Sequence, residues 1–409
     1  MKNRKLFVMF DIMSTGIKYL DAAIIDREHV CHVRSDKETP SYSPKVLYEI
    51  YIDSFFTCYR DILKKYEELI FIPCSEKGVE YCEIFTTKIN ANVNDPSLSK
   101  ARYMKNEMNQ AIRNAGLRCI NEALVRNSNE ISEWVNNNPT IFGYVVKPVR
   151  NAASDKVYVC DGQEDGSYYL SKILGENNIF GEEISEALIQ EYISGELFFI
   201  NTVSCDGRHT VTDVWKTNRT KKFEGAFIFQ DMELVALPNA DLINYSLSCL
   251  DALHVRTGAS HIEVIVDELG PVLVEVNCRL MGASISDSAF IKAGLHLQHR
   301  LSYHAYSNKE KYEEITQDIE YKIDGYLAEI SLYLDKTGKL KDKPFEESVS
   351  CLKSFHSFNG VPNVGDTVKD DYSTLGTGGF IYLYSDDELE IKKDLEFVRR
   401  IKNDYFKIG

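Results

Sequence analysis

Residues 261–279 read "HIEVIVDELGPVLVEVNCR", and no other stretch constrains the fold as tightly. Two β-branched runs flank Asp-Glu-Leu-Gly-Pro, a loop of turn formers, which predicts a hairpin. Alternate residues of a strand share a face. Glu275, Asn277 and Arg279 are then expected in a row, with Val274, Val276 and Leu280 turned to a core. Pairing Val266 with Val272 sets Glu263 opposite Glu275 and His261 opposite Asn277. A solvated strand face is the ordinary explanation of a Glu-x-Asn-x-Arg run. Two carboxylates directly across a sheet, however, repel and destabilise it. A cation between them removes the penalty, and Mg²⁺ commonly takes one or two carboxylates together with substrate phosphates. The hairpin therefore points to a metal–nucleotide site.

The rest of the composition narrows the class. At 409 residues the chain can hold two or three domains, and 44% hydrophobic with 27% charged residues is ordinary for globular cores. Its formal net charge of −15, without a basic stripe, argues against a nucleic-acid backbone as partner. Ten cysteines are scattered singly, with no C-x-x-C pair, so neither zinc nor a disulfide scaffold is expected. The N-terminal "LFVMF" is too short for a signal core and is followed by Asp11, so it is expected to be a strand. No run of about 18 apolar residues suggests a membrane span. A cytoplasmic protein is the expectation.

Along the first hundred residues, apolar runs such as "KLFVMFD", "HVCHVRS" and "LIFIPC" alternate with a helix opened at Ser14-Thr15-Gly16, which predicts a parallel α/β sheet. Asn94, Asp95 and Ser97 can cap a helix that Gly116 closes. Two β runs surround a loop of small residues at 150–155. A strand leads to a turn at Ser194-Gly195, and Asp206-Gly207 predicts a hairpin. Residues 239–258 are expected to form a helix ending at Gly258. The tail over 320–385 is strand-rich, and a charged helix begins near 386. The P-loop pattern is absent.

Lys105 on a helix, Lys147 before the small-residue loop, "QEYISGELF" at 190–198, "VTDVW" and the carboxylate hairpin together resemble the ATP-grasp superfamily of carboxylate–amine ligases. "FDIMSTG" and "ARYMKNEMNQAIRNAGLR" are similar to its L-amino-acid (dipeptide) ligase branch. The resemblance implies an α/β fold, α+β in its ATP-grasp part, with three subdomains. These are an N-terminal α/β domain over 1–102, a small lid over 103–188 and a large catalytic domain with a strand-rich extension over 189–409.

It also implies roles for residues. Lys105 and Lys147, with Ser154 in the lid loop, would contact ATP phosphates. Glu191, Tyr192 and Ile193 would hold adenine and Glu196 the ribose. Glu263, Glu275 and Asn277 would bind two Mg²⁺ ions, with Mn²⁺ as an alternative, and Arg279 would face the reacting acyl phosphate. Asp213, Trp215, His261, Ser284 and Ser286 are the first candidates for contact with substrate. Ala153 stands where the family commonly carries glycine. The implied partners are a small-molecule carboxylate and amine, with neither nucleic acid nor membrane, and a homodimer as a possible assembly. The implied activity is amide formation with release of ADP and phosphate. The rivals are bicarbonate-dependent carboxylation and a non-catalytic nucleotide-binding protein.

Overall fold

In a computed structural model, residues 5–91, 93–221, 227–282, 286–317, 319–370 and 378–409 are described. The N-terminal region is a parallel four-stranded sheet, with Lys5–Phe10 between His29–Arg34 and Glu68–Pro73, and Tyr48–Tyr51 at one edge. Its strands are continuous apolar runs because helices cover both faces. Phe7 and Met9 pack toward helix Ile17–Ile25, while Leu6, Val8 and Phe10 pack toward Ile52–Leu63 and Glu76–Lys88.

A second, antiparallel sheet runs Glu122–Val125, Ala187–Glu191, Tyr144–Pro148, Tyr158–Cys160, with helices Ser128–Asn137 and Gln163–Ile173 packed on it. The largest sheet has eight strands. In spatial order they are Gly270–Asn277, Gly258–Asp267, Glu196–Cys205, Arg208–Lys221, Phe227–Leu234, Tyr326–Ser331, Phe380–Ser385 and Phe355–Asn359. One face packs on helices Lys105–Asn114 and Ala240–Ala252 through Ile112, Leu250, Ile262 and Val276. The other face carries Phe199, Trp215 and Ile265, and turns toward the smaller sheet's loops. The tail is part of this large sheet: Asp231 pairs with Ile330, and Arg399 of the final helix Glu388–Ile401 donates to Asp231 (2.6 Å) and Glu233 (2.7 Å).

The hairpin forms with one correction. Glu263 opposes Glu275 and His261 opposes Asn277, but the register slips by one between Glu263 and Val264. Val266 consequently pairs with Pro271, and Val272 with Ile265. Val274 is the extra residue of this bulge, and it is only partly buried, whereas Val276 reaches the core. Bulges re-aim side chains beside functional sites. Here the bulge shifts the alternation, so that Leu273 shares the core face of Val276 and Val272 lies on the opposite face, while Glu275 keeps its place opposite Glu263.

Two further expectations change. The strand stops at Asn277, so Arg279 sits in the bend beyond it and not on the alternating face. The helix expected over 239–258 ends at Ala252, and Gly258 instead opens the hairpin strand. Gly258 has φ 117°, and a Cβ there would lie 2.0 Å from the Tyr306 hydroxyl.

Candidate active site

The hairpin supplies one wall of the site. Glu263 and Glu275 face each other on adjacent strands, and Lys105, the first residue of its helix, donates to Glu275 (2.7 Å) and to the Asn151 carbonyl (2.9 Å). Part of the charge that opposed carboxylates demand thus comes from this lysine. Burial works against the Glu263 charge, but the His261 imidazole, Arg219 and Lys105 outweigh it and hold the carboxyl below its usual range. His261 donates through Nδ1 to Asn201 (2.9 Å) and lies 3.6 Å from Glu263 through Nε2. The Asn277 amide, turned so that its nitrogen donates, reaches both oxygens of Glu76 at 2.9 and 3.2 Å. That orientation points its oxygen away from Glu76.

The opposite wall comes from the smaller sheet. Lys147, on Tyr144–Pro148, is 4% exposed, and burial, reinforced by the Lys105 charge, lowers its pKa to about 8. The loop that follows is held by side chains. Asn151 donates to the Asp155 carbonyl and carboxylate (both 3.0 Å), and Arg150 reaches Glu80 (2.5 Å) and Glu182. Ala153 and Ser154 adopt φ of 58° and 56°, the left-handed region that glycine enters most easily. The family's preference for glycine at Ala153 therefore has a conformational reason here.

Glu191 ends strand Ala187–Glu191, and Tyr192 and Ile193 follow without regular secondary structure. Glu191 accepts from the Asn121 N–H (2.8 Å), Tyr192 donates its N–H to Gly143 (3.0 Å), and Ile193 is buried. Glu196 is exposed and paired with Lys216.

Asp213 is buried and accepts from Asn201, Trp215 Nε1 and Thr212 (2.8 Å for the last). Trp215 is 0% exposed: its indole orients Asp213 from within the core. Ser286 is hydrogen-bonded to Ser288 (2.7 Å), and Ser284 lies outside the described residues.

Two residues of this region were missed. Glu76 begins helix Glu76–Lys88 and accepts from Arg279 Nε (2.7 Å); a carboxylate more than two hundred positions away carried no local signal. Arg219 is electrostatically coupled to Glu263 and Tyr192. It was legible, because Asp213, Trp215, Thr217 and Arg219 are alternate residues of one strand.

Among the described residues, no group of three or more His, Cys, Asp and Glu side chains is arranged around a metal position. Two carboxylates plus an amide fit a Mg²⁺ ion that draws the rest of its shell from phosphates and water. No described helix is long and apolar enough to cross a membrane.

Residues 140–287 match the ATP-grasp domain family. Dapdiamide A synthase of Enterobacter agglomerans is 25% identical over 321 residues, 77% of this chain and 74% of the relative. An L-amino acid ligase from Bacillus licheniformis superposes with a TM-score of 0.75 at 15% identity, covering 100% of this chain and 99% of the other. Phosphoribosylglycinamide synthetase from Anaerococcus prevotii follows at 0.65 and 13%, with 100% of both chains covered. Residues 140–287 thus carry an ATP-grasp domain, and the fold is that of the solved structures above.

Proposed function

We propose that the protein joins the carboxylate of an amino acid to an amine, forming an amide through an acyl phosphate and releasing ADP and phosphate. The observation that carries this reading is the Glu263–Glu275 pair with Lys105 bonded to Glu275 and buried Lys147 close enough to feel the charges of all three. Phosphoryl transfer needs positioning and charge neutralisation above all. One oxygen of the substrate carboxylate attacks the γ-phosphorus, and the bond to the bridging oxygen breaks with its electrons leaving on ADP. The amine nitrogen then attacks the acyl carbon. The carbon–oxygen bond breaks, phosphate departs, and the surplus amine proton leaves with it.

Lys105 and Lys147 bind the phosphates, the Glu191–Ile193 backbone borders adenine, and Glu196 reaches the ribose. Glu263, Glu275 and Asn277 would hold two Mg²⁺ ions, which would supply charge neutralisation for the transferred phosphoryl group. Arg279 donates to the acyl oxygen, with Glu76 fixing its approach. The test is a phosphate-release screen with ATP, Mg²⁺ and pairs of amino acids, followed by chromatography of the nucleotide. ADP with amino-acid-dependent phosphate supports the reading. AMP as main product, or bicarbonate-dependent turnover without any amino acid, removes it.

A further inference from the structure

Helix Glu76–Lys88 of the N-terminal region carries Glu76, Glu80 and Glu83 at successive turns, so the three carboxylates form one stripe. Each meets an arginine from a different part of the chain. Glu83 takes Arg102, just before the helix that packs on the large sheet, and Glu76 takes Arg279, just beyond the hairpin. Glu80 takes Arg150, in the loop after Lys147. Two of these arginines tie the helix to the large sheet, and the third ties it to the smaller one.

The contacts differ in kind. Arg102 is fully buried and donates to both Glu83 oxygens (2.6 and 2.7 Å) and to the carbonyls of Leu253 (2.9 Å) and Asp95 (2.7 Å). Breaking that pair would strand a buried charge, so it is an anchor. Arg150 donates through Nη1 to Glu182, a residue of its own unit. Its Nη2 lies 2.5 Å from Glu80, an ion pair without the geometry of a hydrogen bond. The Phe180 ring centre is 4.8 Å from the guanidinium carbon, and Asn178 donates to the Arg150 carbonyl (3.2 Å) and to Glu182 (3.0 Å). On leaving Glu80, Arg150 therefore keeps both Glu182 and Phe180, and its charge stays partnered. Burial raises the Glu80 carboxyl above its ordinary range; the Arg150 charge opposes that shift and Glu182 adds to it. This contact is built to break.

We propose that Glu80 and Arg150 form a latch that closes the loop at 150–155 over the nucleotide phosphates, with Glu182 holding Arg150 while the latch is open. Glu80 is then a positioning residue, acting through Arg150. One helix sets the loop through Glu80 and Arg279 through Glu76, so loop closure and the acyl end of the site share a support. The placement of phosphates beneath this loop rests on the nucleotide reading above.

Two substitutions around the one guanidinium should act with opposite signs. Glu80→Gln removes the latch, and stopped-flow release of a fluorescent ADP analogue with Mg²⁺ should quicken by about three- to tenfold. Glu182→Gln removes the partner of the open state, so release should slow by about two- to fivefold. An Arg150 that only stabilised the fold would give faster release in both. Hydrogen exchange of the loop amides in nucleotide-free protein should also quicken in Glu80→Gln, and melting temperatures verify that each variant folds. Release altered in the same sense by both substitutions, or unaltered by Glu80→Gln, overturns the latch. If the wild type binds no nucleotide, the nucleotide reading falls and loop exchange decides alone: faster exchange in Glu80→Gln supports the latch, and unaltered exchange overturns it.

Discussion

The two walls of the proposed phosphate site are built by different means. Glu263, Glu275 and Asn277 sit on adjacent strands of an eight-stranded sheet, fixed by ladder hydrogen bonds and by the bulge at Val274. Lys147 stands near the end of a short strand, and the loop after it is held by Asn151 and Arg150 and includes three left-handed residues, Ala153, Ser154 and Lys156. A wall made of sheet has its geometry determined by the backbone, so removing a side chain there removes a function and little else. A wall made of side-chain contacts responds by degrees, to pH and to backbone strain. The hairpin should therefore give large losses of chemistry and the lid wall should give small, graded effects.

The largest effect is expected on the sheet wall. Glu275→Ala removes a proposed metal ligand and the partner of Lys105, and turnover should fall by about 10²–10³-fold or more. A single-turnover assay at saturating Mg-ATP measures it, and an effect under tenfold would mean that the hairpin is not the chemical wall. Arg279→Lys keeps the charge but loses the planar fork. Ligation should drop by about 10²-fold while calorimetric Mg-ATP binding stays within a few-fold. Glu76→Gln, acting only through Arg279 and Asn277, should cost about 10–100-fold, as groups that orient ligands do.

The lid wall should show its character in pH. Lys147 has a folded-state pKa lowered to about 8 from an ordinary 10.5, so the empty protein holds fewer protons there than the unfolded chain between those values. Stability from this residue is thus poorest below about pH 8 and recovers as pH rises toward 10.5. Phosphates demand the charged form, so nucleotide affinity should weaken above about pH 8, approaching tenfold per pH unit at most. Lys147→Met should bind ATP more weakly at pH 7 and lose that pH dependence. Calorimetry across the range is the check, and a pH-independent wild type would contradict the burial argument. The smallest change belongs to Ala153→Gly. It relieves a left-handed alanine, worth about 1–2 kcal/mol, against about 0.4–1 kcal/mol of added unfolded-state entropy. A gain of up to about 1.6 kcal/mol in denaturant unfolding is expected, with no change in turnover beyond a few-fold.

What could be read from the chain alone follows the distance over which information must act. The hairpin, the parallel N-terminal sheet and the lysine before the small-residue loop are encoded within a dozen residues each, by alternation and turn chemistry. The bulge was not legible, because Val274 is as good a strand residue as its neighbours and only the demands of the two faces select it. Arg279 was assigned to a strand face because alternation does not announce where a strand ends. Glu76 comes from a segment whose local sequence describes a helix start. Only the docking of the N-terminal region on the large sheet brings it to Arg279 and Asn277. Trp215 was read as a candidate substrate contact, and its burial shows that an aromatic beside a carboxylate can be its internal hydrogen-bond donor.

The strand Phe227–Leu234 is covered on its outer edge by Tyr326–Ser331 and clamped by Arg399. A ribosome delivers these pieces in order, at about 5–20 residues per second. After the hairpin at 258–277 has emerged, a wait of about 2–10 seconds separates it from Tyr326–Ser331. Throughout that interval Phe227–Leu234 presents an open edge, a template for pairing with another nascent chain. The arrival of Tyr326–Ser331 ends that exposure, and slow codons between the hairpin and this strand would lengthen it.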